Sequence, residues 1–204
     1  MTARQGAARV TEGVRGMEAL RLIKTARHAL AETRNIPDVL AEARQAALLA
    51  EAVGTRLARD EDGELAGLGS LLGEAALHAV GCLDHAAGDV AGASAFGPAS
   101  RARRLGELGE LGPMLDELGG LLRDIGETLV VLACGAENES LYWACIDGVD
   151  AGAECTQVVG QLRDAVRRIE GERPEEAEHA ERLLLLELEP PGERVEEVVR
   201  APVG

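Results

Sequence analysis

Aromatic side chains make up only 1% of this chain, as one phenylalanine, one tyrosine and one tryptophan. A core without rings has to be filled by leucine, alanine, valine and isoleucine, and the smaller of these let helices approach closely. Nucleic-acid binding is disfavoured, because few rings are present to stack on bases and a net charge of −15 repels phosphate.

The sequence also lacks the apolar segments that membranes and secretion require. No uninterrupted apolar run approaches the ~20 residues of a membrane span, and the start MTARQGAARVTEGVRG has no apolar core of a secretory signal. The four cysteines form no Cys-x-x-Cys pair and no small-domain disulfide pattern. We therefore expect a cytoplasmic protein with reduced thiols and no membrane association.

Helical periodicity is the strongest pattern that the sequence does contain. From Met17 onward, apolar residues recur at spacings of three and four, in segments separated by RNIPDVL, RDEDGE, AAGDVAGASAFGPAS and CGAENES. Asn35, just before Pro37, is a candidate cap for the second helix. The pattern predicts an all-α fold, an antiparallel bundle of about five helices joined by short connections.

The two ends of the chain differ from this bundle. Residues 1–16 show no sustained apolar period, and we predict a disordered extension there. From Arg173 onward the chain changes to prolines, glutamate clusters and the run RLLLLELE, typical of a short helix or a flexible tail. The predicted domains are the extension at 1–16, a helical bundle at 17–172 and an acidic, leucine-rich tail at 173–204.

The stretch HAVGCLDHAAGD in the third helix holds the candidate metal ligands. An α-helix points His78, Cys82 and His85 roughly the same way, and imidazole and thiolate are ligands that zinc prefers. A tetrahedral site would need more ligands from another helix, because three turns span about 10 Å. The structural alternative places Cys82 as a small core residue on the apolar period, with the histidines flanking it. We expect no resident cofactor, and zinc is the alternative.

The stretch LYWACIDGVDAGAE in the last helix holds the candidate ligand-binding residues. Tyr142 and Trp143 lie beside Asp147, Asp150 and Glu154, whose spacing puts the three carboxylates on one helix face. One interpretation is a pocket for a cationic or amphipathic ligand, because aromatic faces attract cations. The other interpretation is that Trp143 fills the space beside the glycines while the acids form a solvated face.

Arrangements typical of enzymes are missing from the sequence. The stretch GLGSLLG has no lysine and follows no predicted strand, so it does not resemble a phosphate-binding loop. Ser94 misses the Gly-x-Ser-x-Gly spacing of hydrolases. One Glu-x-x-His, Glu176 to His179, lies in the predicted tail, whereas di-iron bundles need two copies in the core.

We therefore predict a non-enzymatic protein without catalytic residues, which acts through protein–protein interaction with another protein or a second copy of itself. The alternative function is a sensor that binds a ligand or a metal. The residues of that sensor would be His78, Cys82 and His85, or the region of Tyr142 and Trp143.

Two parts of the chain resemble a known family. The stretches MEALRLIKTARHALAET and PDVLAEARQAALLAEAVGTRLA, and later ESLYWACIDGVDAGAE, are similar to a family of small helical actinobacterial proteins of unknown function. The resemblance begins near Met17 and covers the helices at 17–59 and 137–172. It implies a helical cytoplasmic protein and assigns no catalytic residue.

Overall fold

A computed structural model describes the backbone of residues 3–90 and 101–188, and the side chains of residues 18–85 and 101–171. Within these ranges the chain forms five α-helices, one 3₁₀ helix and no strand, which confirms the predicted all-α bundle of about five helices. The α-helices are α1 Ala3–Glu32, α2 Ile36–Leu57, α3 Gly63–Val90, α4 Leu111–Cys134 and α5 Glu139–Leu188, and the 3₁₀ helix is Arg101–Arg104. Residues 1–167 form one structural unit and residues 168–204 a second.

The first and last described helices extend into the two predicted end segments. α1 begins at Ala3, so the backbone of residues 3–16 is helical where a disordered extension is predicted. The reason is that apolar periodicity reports burial, whereas alanine, arginine and glutamine favour a helix without it. At the other end, α5 continues to Leu188, into the predicted tail, and residues 189–204 lie outside the described chain. The predicted domain limits stay predictions.

The chain has two asparagines, and each caps a helix. The Oδ1 atom of Asn35 accepts a hydrogen bond from the backbone N–H of Asp38 at 2.9 Å, which confirms the predicted cap of α2. Asn138 does the same for α5, accepting from the N–H of Leu141 at 2.8 Å. Asp62 accepts from two backbone N–H groups at the start of α3. These bonds satisfy donors that have no partner inside the helix.

The helices α2 and α3 approach so closely that their backbones touch at glycines. A β-carbon added at Gly54 would lie 2.6 Å from the backbone nitrogen of Gly73, and one at Gly69 would meet the last turn of α2 at 2.6 Å. Nearer the start of α2, Arg44 pairs with Asp84. Residues near the end of α2 contact residues near the start of α3, and residues earlier in α2 contact residues later in α3. The two helices are therefore antiparallel.

The helix α5 packs against both α3 and α4. A β-carbon at Gly148 would lie 3.2 Å from Cδ1 of Leu129 in α4 and 3.4 Å from Cδ2 of Leu83 in α3. Further along α5, Arg163 pairs with Asp116 near the start of α4. α5 is therefore antiparallel to α4, as the short connection between them requires.

The connection between α3 and α4 departs from a simple alternation of helix directions. Arg101 pairs with Glu42 in the first half of α2. Arg56, near the end of α2, donates a hydrogen bond to the carbonyl oxygen of Leu105 at 2.6 Å. The described part of the connection, residues 101–110, thus runs along α2, and α3 and α4 point the same way. A connection this long releases neighbouring helices from the antiparallel arrangement that short loops impose.

The side chain of Arg27 ties α1 to α4. Its Nε atom donates to Asp124 at 2.6 Å and its Nη1 atom donates to Glu117 at 3.2 Å. The hydrogen bond to Asp124 is the largest cause of the raised pKa of this guanidinium. The arginine follows the buried Ile23 by one helical turn, and it pairs with two carboxylates of the neighbouring helix.

The core follows the predicted apolar periods, and among the described residues no polar or charged residue is buried. In α2 the buried positions of the period are Leu40, Ala43, Ala47, Ala50 and Leu57. In α4 they are Leu115, Leu118, Leu122, Ile125 and Leu129. In α5 they are Leu141, Cys145, Cys155, Val159, Leu162 and Val166. These buried residues lie on the helix faces that the spacing of three and four predicts.

One segment of α3, Gly63–His85, is long and apolar enough to cross a membrane by length and composition. Its apolar run is interrupted by single acidic residues, which is why the sequence analysis does not predict a span. Of this segment 28% is buried, where α3 packs against α2 and α5. Length and composition alone do not establish a membrane span, and the cytoplasmic location stays a prediction.

We expect the Gly54→Ala variant to lose about 1–3 kcal/mol of unfolding free energy, because the new methyl group would overlap the backbone of α3. Gly67→Ala is the matched control, since a β-carbon at Gly67 meets open space. That variant should be unchanged or gain up to about 1 kcal/mol from helix propensity. Urea denaturation followed by circular dichroism measures both, and equal midpoints would contradict the close approach of α2 and α3.

Candidate functional site

A cleft between α3 and α5 brings the two candidate stretches together. Its cavity volume is about 530 Å³, within the range of small-molecule sites. The cleft is lined by His78, Gly81, Cys82, His85, Ser140, Trp143, Ala144 and Asp147. At one end, Nδ1 of His78 lies 3.7 Å from Oε2 of Glu154. The lining includes the predicted metal ligands His78, Cys82 and His85 and the predicted ligand-binding residues Trp143 and Asp147, whereas the predicted Tyr142 is not part of it.

The cleft exists because neighbouring positions on α3 face different surroundings. Leu83 is buried and lies against the position of Gly148 in α5. Cys82, the preceding residue, is rotated by about 100° around the helix and is only half-buried. On α5 the lining residues Ser140, Trp143, Ala144 and Asp147 are spaced i, i+3, i+4 and i+7, which is one helix face.

The ring of Trp143 forms an exposed wall of the cleft. Its side chain is 54% exposed, so the interpretation in which it fills the space beside the glycines is wrong. The space beside Gly148 is taken by Leu83 of α3 and Leu129 of α4, and the position of Gly152 meets open space. The indole Nε1–H donates a hydrogen bond to Oε1 of Glu139 at 3.3 Å. The ring of Tyr142 stands edge-on to the indole, with centroids 5.2 Å apart and planes at 81°.

The two histidines line the cleft but do not converge on one point with Cys82. Nδ1 of His85 lies 2.7 Å from the carbonyl oxygen of Gly81, one turn earlier in the same helix. His78 lies beside Glu154 and is largely exposed. Among the described residues, no group of three or more His, Cys, Asp or Glu side chains is placed to hold a metal ion. The zinc prediction is not tested by this arrangement and stays a prediction.

The surroundings of Cys82 disfavour the thiolate form of its side chain. Its pKa is raised first by burial and then by the carboxylates of Asp147 and Glu154. A thiol attacks carbon or binds a metal ion as the thiolate, so a raised pKa disfavours both roles. Cys82 is half-buried and lines the cleft, so it is not one of the fully buried residues of the core.

The other three cysteines lie outside the cleft and differ in burial. Cys145 and Cys155 are fully buried packing residues. Burial raises the pKa of Cys145, and it raises the pKa of Cys155 to about 11. Cys134 is exposed at the end of α4.

Sequence reasoning missed three lining residues and one neighbour of the cleft. Gly81, Ser140 and Ala144 are the lining residues, and Glu139 is the acceptor of the indole hydrogen bond. Their signal was available in part: extending the helix face of Trp143 by one turn in each direction reaches Ser140 and Asp147. No feature of the sequence indicates that α3 lies opposite that face of α5.

Comparison with protein-family models places residues 17–165 in the Family of unknown function (DUF6099). The match covers most of the chain and includes all eight lining residues of the cleft, and the chain belongs to this family. The predicted resemblance to a helical family of unknown function is therefore confirmed, while the actinobacterial origin stays a prediction. No curated protein and no solved structure matches the chain.

We expect the Asp147→Asn variant to react faster with iodoacetamide at Cys82. Removing the carboxylate lowers the pKa of this thiol and raises its thiolate fraction. Asp150→Asn is the matched control, because Asp150 is exposed on the same helix and does not line the cleft. Mass spectrometry after timed labelling gives the rate, with exposed Cys134 as internal reference. Equal acceleration by both variants would contradict the local contact.

Proposed function

We propose that this member of the Family of unknown function (DUF6099) is a non-enzymatic binding protein whose cleft between α3 and α5 takes a small-molecule ligand. The observation that carries the proposal is the convergence of two distant stretches, HAVGCLDH and SLYWACID, on one cleft. Helical bundles commonly build ligand sites from side chains on facing helices. A concave site with a few polar groups is also the usual form of a small-molecule pocket.

The chemistry of the cleft favours binding over catalysis. Burial and the carboxylates of Asp147 and Glu154 raise the pKa of the Cys82 thiol, and no hydrogen bond between described residues joins it to His78 or His85. A cysteine nucleophile needs an adjacent base or a lowered pKa. The absence of catalysis is part of the proposal and not a finding.

The single tryptophan makes the cleft directly observable. In a ¹H–¹⁵N spectrum the indole N–H of Trp143 gives a single resonance, and a ligand in the cleft should shift it. We would titrate with four probes that differ in charge: benzylamine, benzyl alcohol, benzoate and zinc sulfate. At least one should shift the indole signal in a saturable way.

The same probe should raise the melting temperature, because binding to the native state stabilises it by mass action. Trp143→Ala should abolish this stabilisation, while Val131→Ala, which removes an exposed apolar side chain outside the cleft, should preserve it. If none of the four probes shifts the indole signal at millimolar concentration, the proposed function is wrong.

Protein–protein interaction is a second proposed function, and the observation that favours it is the outward face of α3. Leu71 and Leu77 are 50% and 56% exposed there. Gly67 on the same helix leaves open space above the backbone, which allows another helix to approach closely. The partner we propose is a second copy of this chain.

Size-exclusion chromatography with light scattering tests this second function. A dimer should form at micromolar concentration and should be favoured by added salt, because two chains of charge −15 repel each other. Leu77→Glu should give a monomer, and Val131→Glu on α4 should not. A monomer at every salt concentration would contradict the proposed dimer through α3.

A further inference from the structure

We infer that the ligand of the α3–α5 cleft is a small organic cation, an alkylammonium or arylalkylammonium ion, held between the ring of Trp143 and the carboxylate of Asp147. This inference rests on the proposed function that the cleft binds a ligand. It names the charge and chemical class of that ligand, and it is argued from the lining, the ring and the electrostatic field.

The lining of the cleft contains acid and no strong base. Asp147 is the one carboxylate among the eight lining residues, and none of the eight is a lysine or an arginine. Glu154 lies at one end, beside His78, and Glu139 lies beside Trp143. An anionic ligand would therefore meet carboxylates without a permanent positive charge to pair with. A cation meets an acceptor at each of these positions.

The indole of Trp143 is held in place and leaves surface free for a ligand. Its N–H is engaged by Glu139, and the edge-on ring of Tyr142 supports it from the neighbouring position. More than half of the side chain is exposed. Tryptophan is the best aromatic partner for a cation, and the attraction is strongest within about 6 Å of the ring centre.

The electrostatic field of the cleft has the sign that a cation requires. Asp147 and Glu154 both act on the thiol of Cys82 across the cleft and disfavour its negative form. The same field stabilises a positive charge placed in that space. The net charge of −15 adds a long-range attraction for cations that speeds their association.

The size of the cleft favours a polyatomic cation. A volume of about 530 Å³ is far larger than a single ion occupies. A ligand that combines an ammonium group with methyl or methylene groups would contact the indole face of α5 and the wall of α3 at Gly81 and Cys82 together. Such a ligand keeps its charge near Asp147 while its apolar part leaves water.

The test uses the full-length chain and a pair of probes with the same shape. Choline carries a trimethylammonium group, and 3,3-dimethylbutan-1-ol replaces that group by a neutral tert-butyl group. Both are titrated while the indole signal of Trp143 is recorded. We expect choline to bind about tenfold more tightly than the neutral alcohol, a ratio equivalent to about 1.4 kcal/mol.

Two variants locate the carboxylate that holds the cation. Asp147→Asn should weaken choline binding roughly threefold to tenfold, because the acceptor charge is lost while the shape is kept. Asp150→Asn removes the same charge from the same helix outside the cleft and should leave binding unchanged. Unchanged backbone spectra of both variants verify that each remains folded.

Three outcomes would overturn the inference, and they differ in what they leave standing. If the alcohol or benzoate binds as tightly as choline, the cleft binds a ligand but the ligand is not a cation. If both variants weaken choline equally, the general field of the protein attracts it and Asp147 does not hold it. If no probe shifts the indole signal, the proposed function fails together with the inference.

Discussion

The close approach of α2 and α3 is the constraint on which the rest of the structure depends. Because Gly54 and Gly69 have no side chains, the two backbones meet where any β-carbon would overlap the opposite helix. This contact fixes the rotation of α3 about its axis. The remaining apolar edge of α3, at Leu83, then faces α5. The same rotation places His78 and Cys82 on the wall of the cleft.

The cleft is a consequence of how small residues are distributed between the helices. Gly148 lets α5 come within contact of both α3 and α4 at one level of the bundle. On a neighbouring side of α5, the larger residues Trp143 and Asp147 turn outward, and the helices enclose a space that no described side chain fills. The same helix pair is thus closed on its core side and open on its outer side. The chain is acidic and the lining of this opening contains no lysine or arginine, which supports the proposal of a positively charged ligand.

Particular residues show where reasoning from sequence succeeds and where it stops. The cap at Asn35 and the buried period of α2 are local, because a helix needs only its own sequence to place them. Cys82 was expected in the core because it continues the period of α3, yet no partner helix covers that turn completely. Trp143 was open to two interpretations, and its exposure excludes packing beside the glycines. Periodicity identifies an apolar face and does not say whether another helix covers all of it.

The local pattern of apolar residues, caps and breaks decided the class, the helices of the bundle and most of the core of this protein. These properties arise from contacts within a few turns, which a single sequence records. The direction of α4 and the pairing of α3 with α5 were decided only by the tertiary structure. They depend on a connection that runs along α2 and on glycine contacts between helices far apart in the chain. The two candidate stretches became one site because the fold placed them face to face, and no spacing within either stretch encodes that distance.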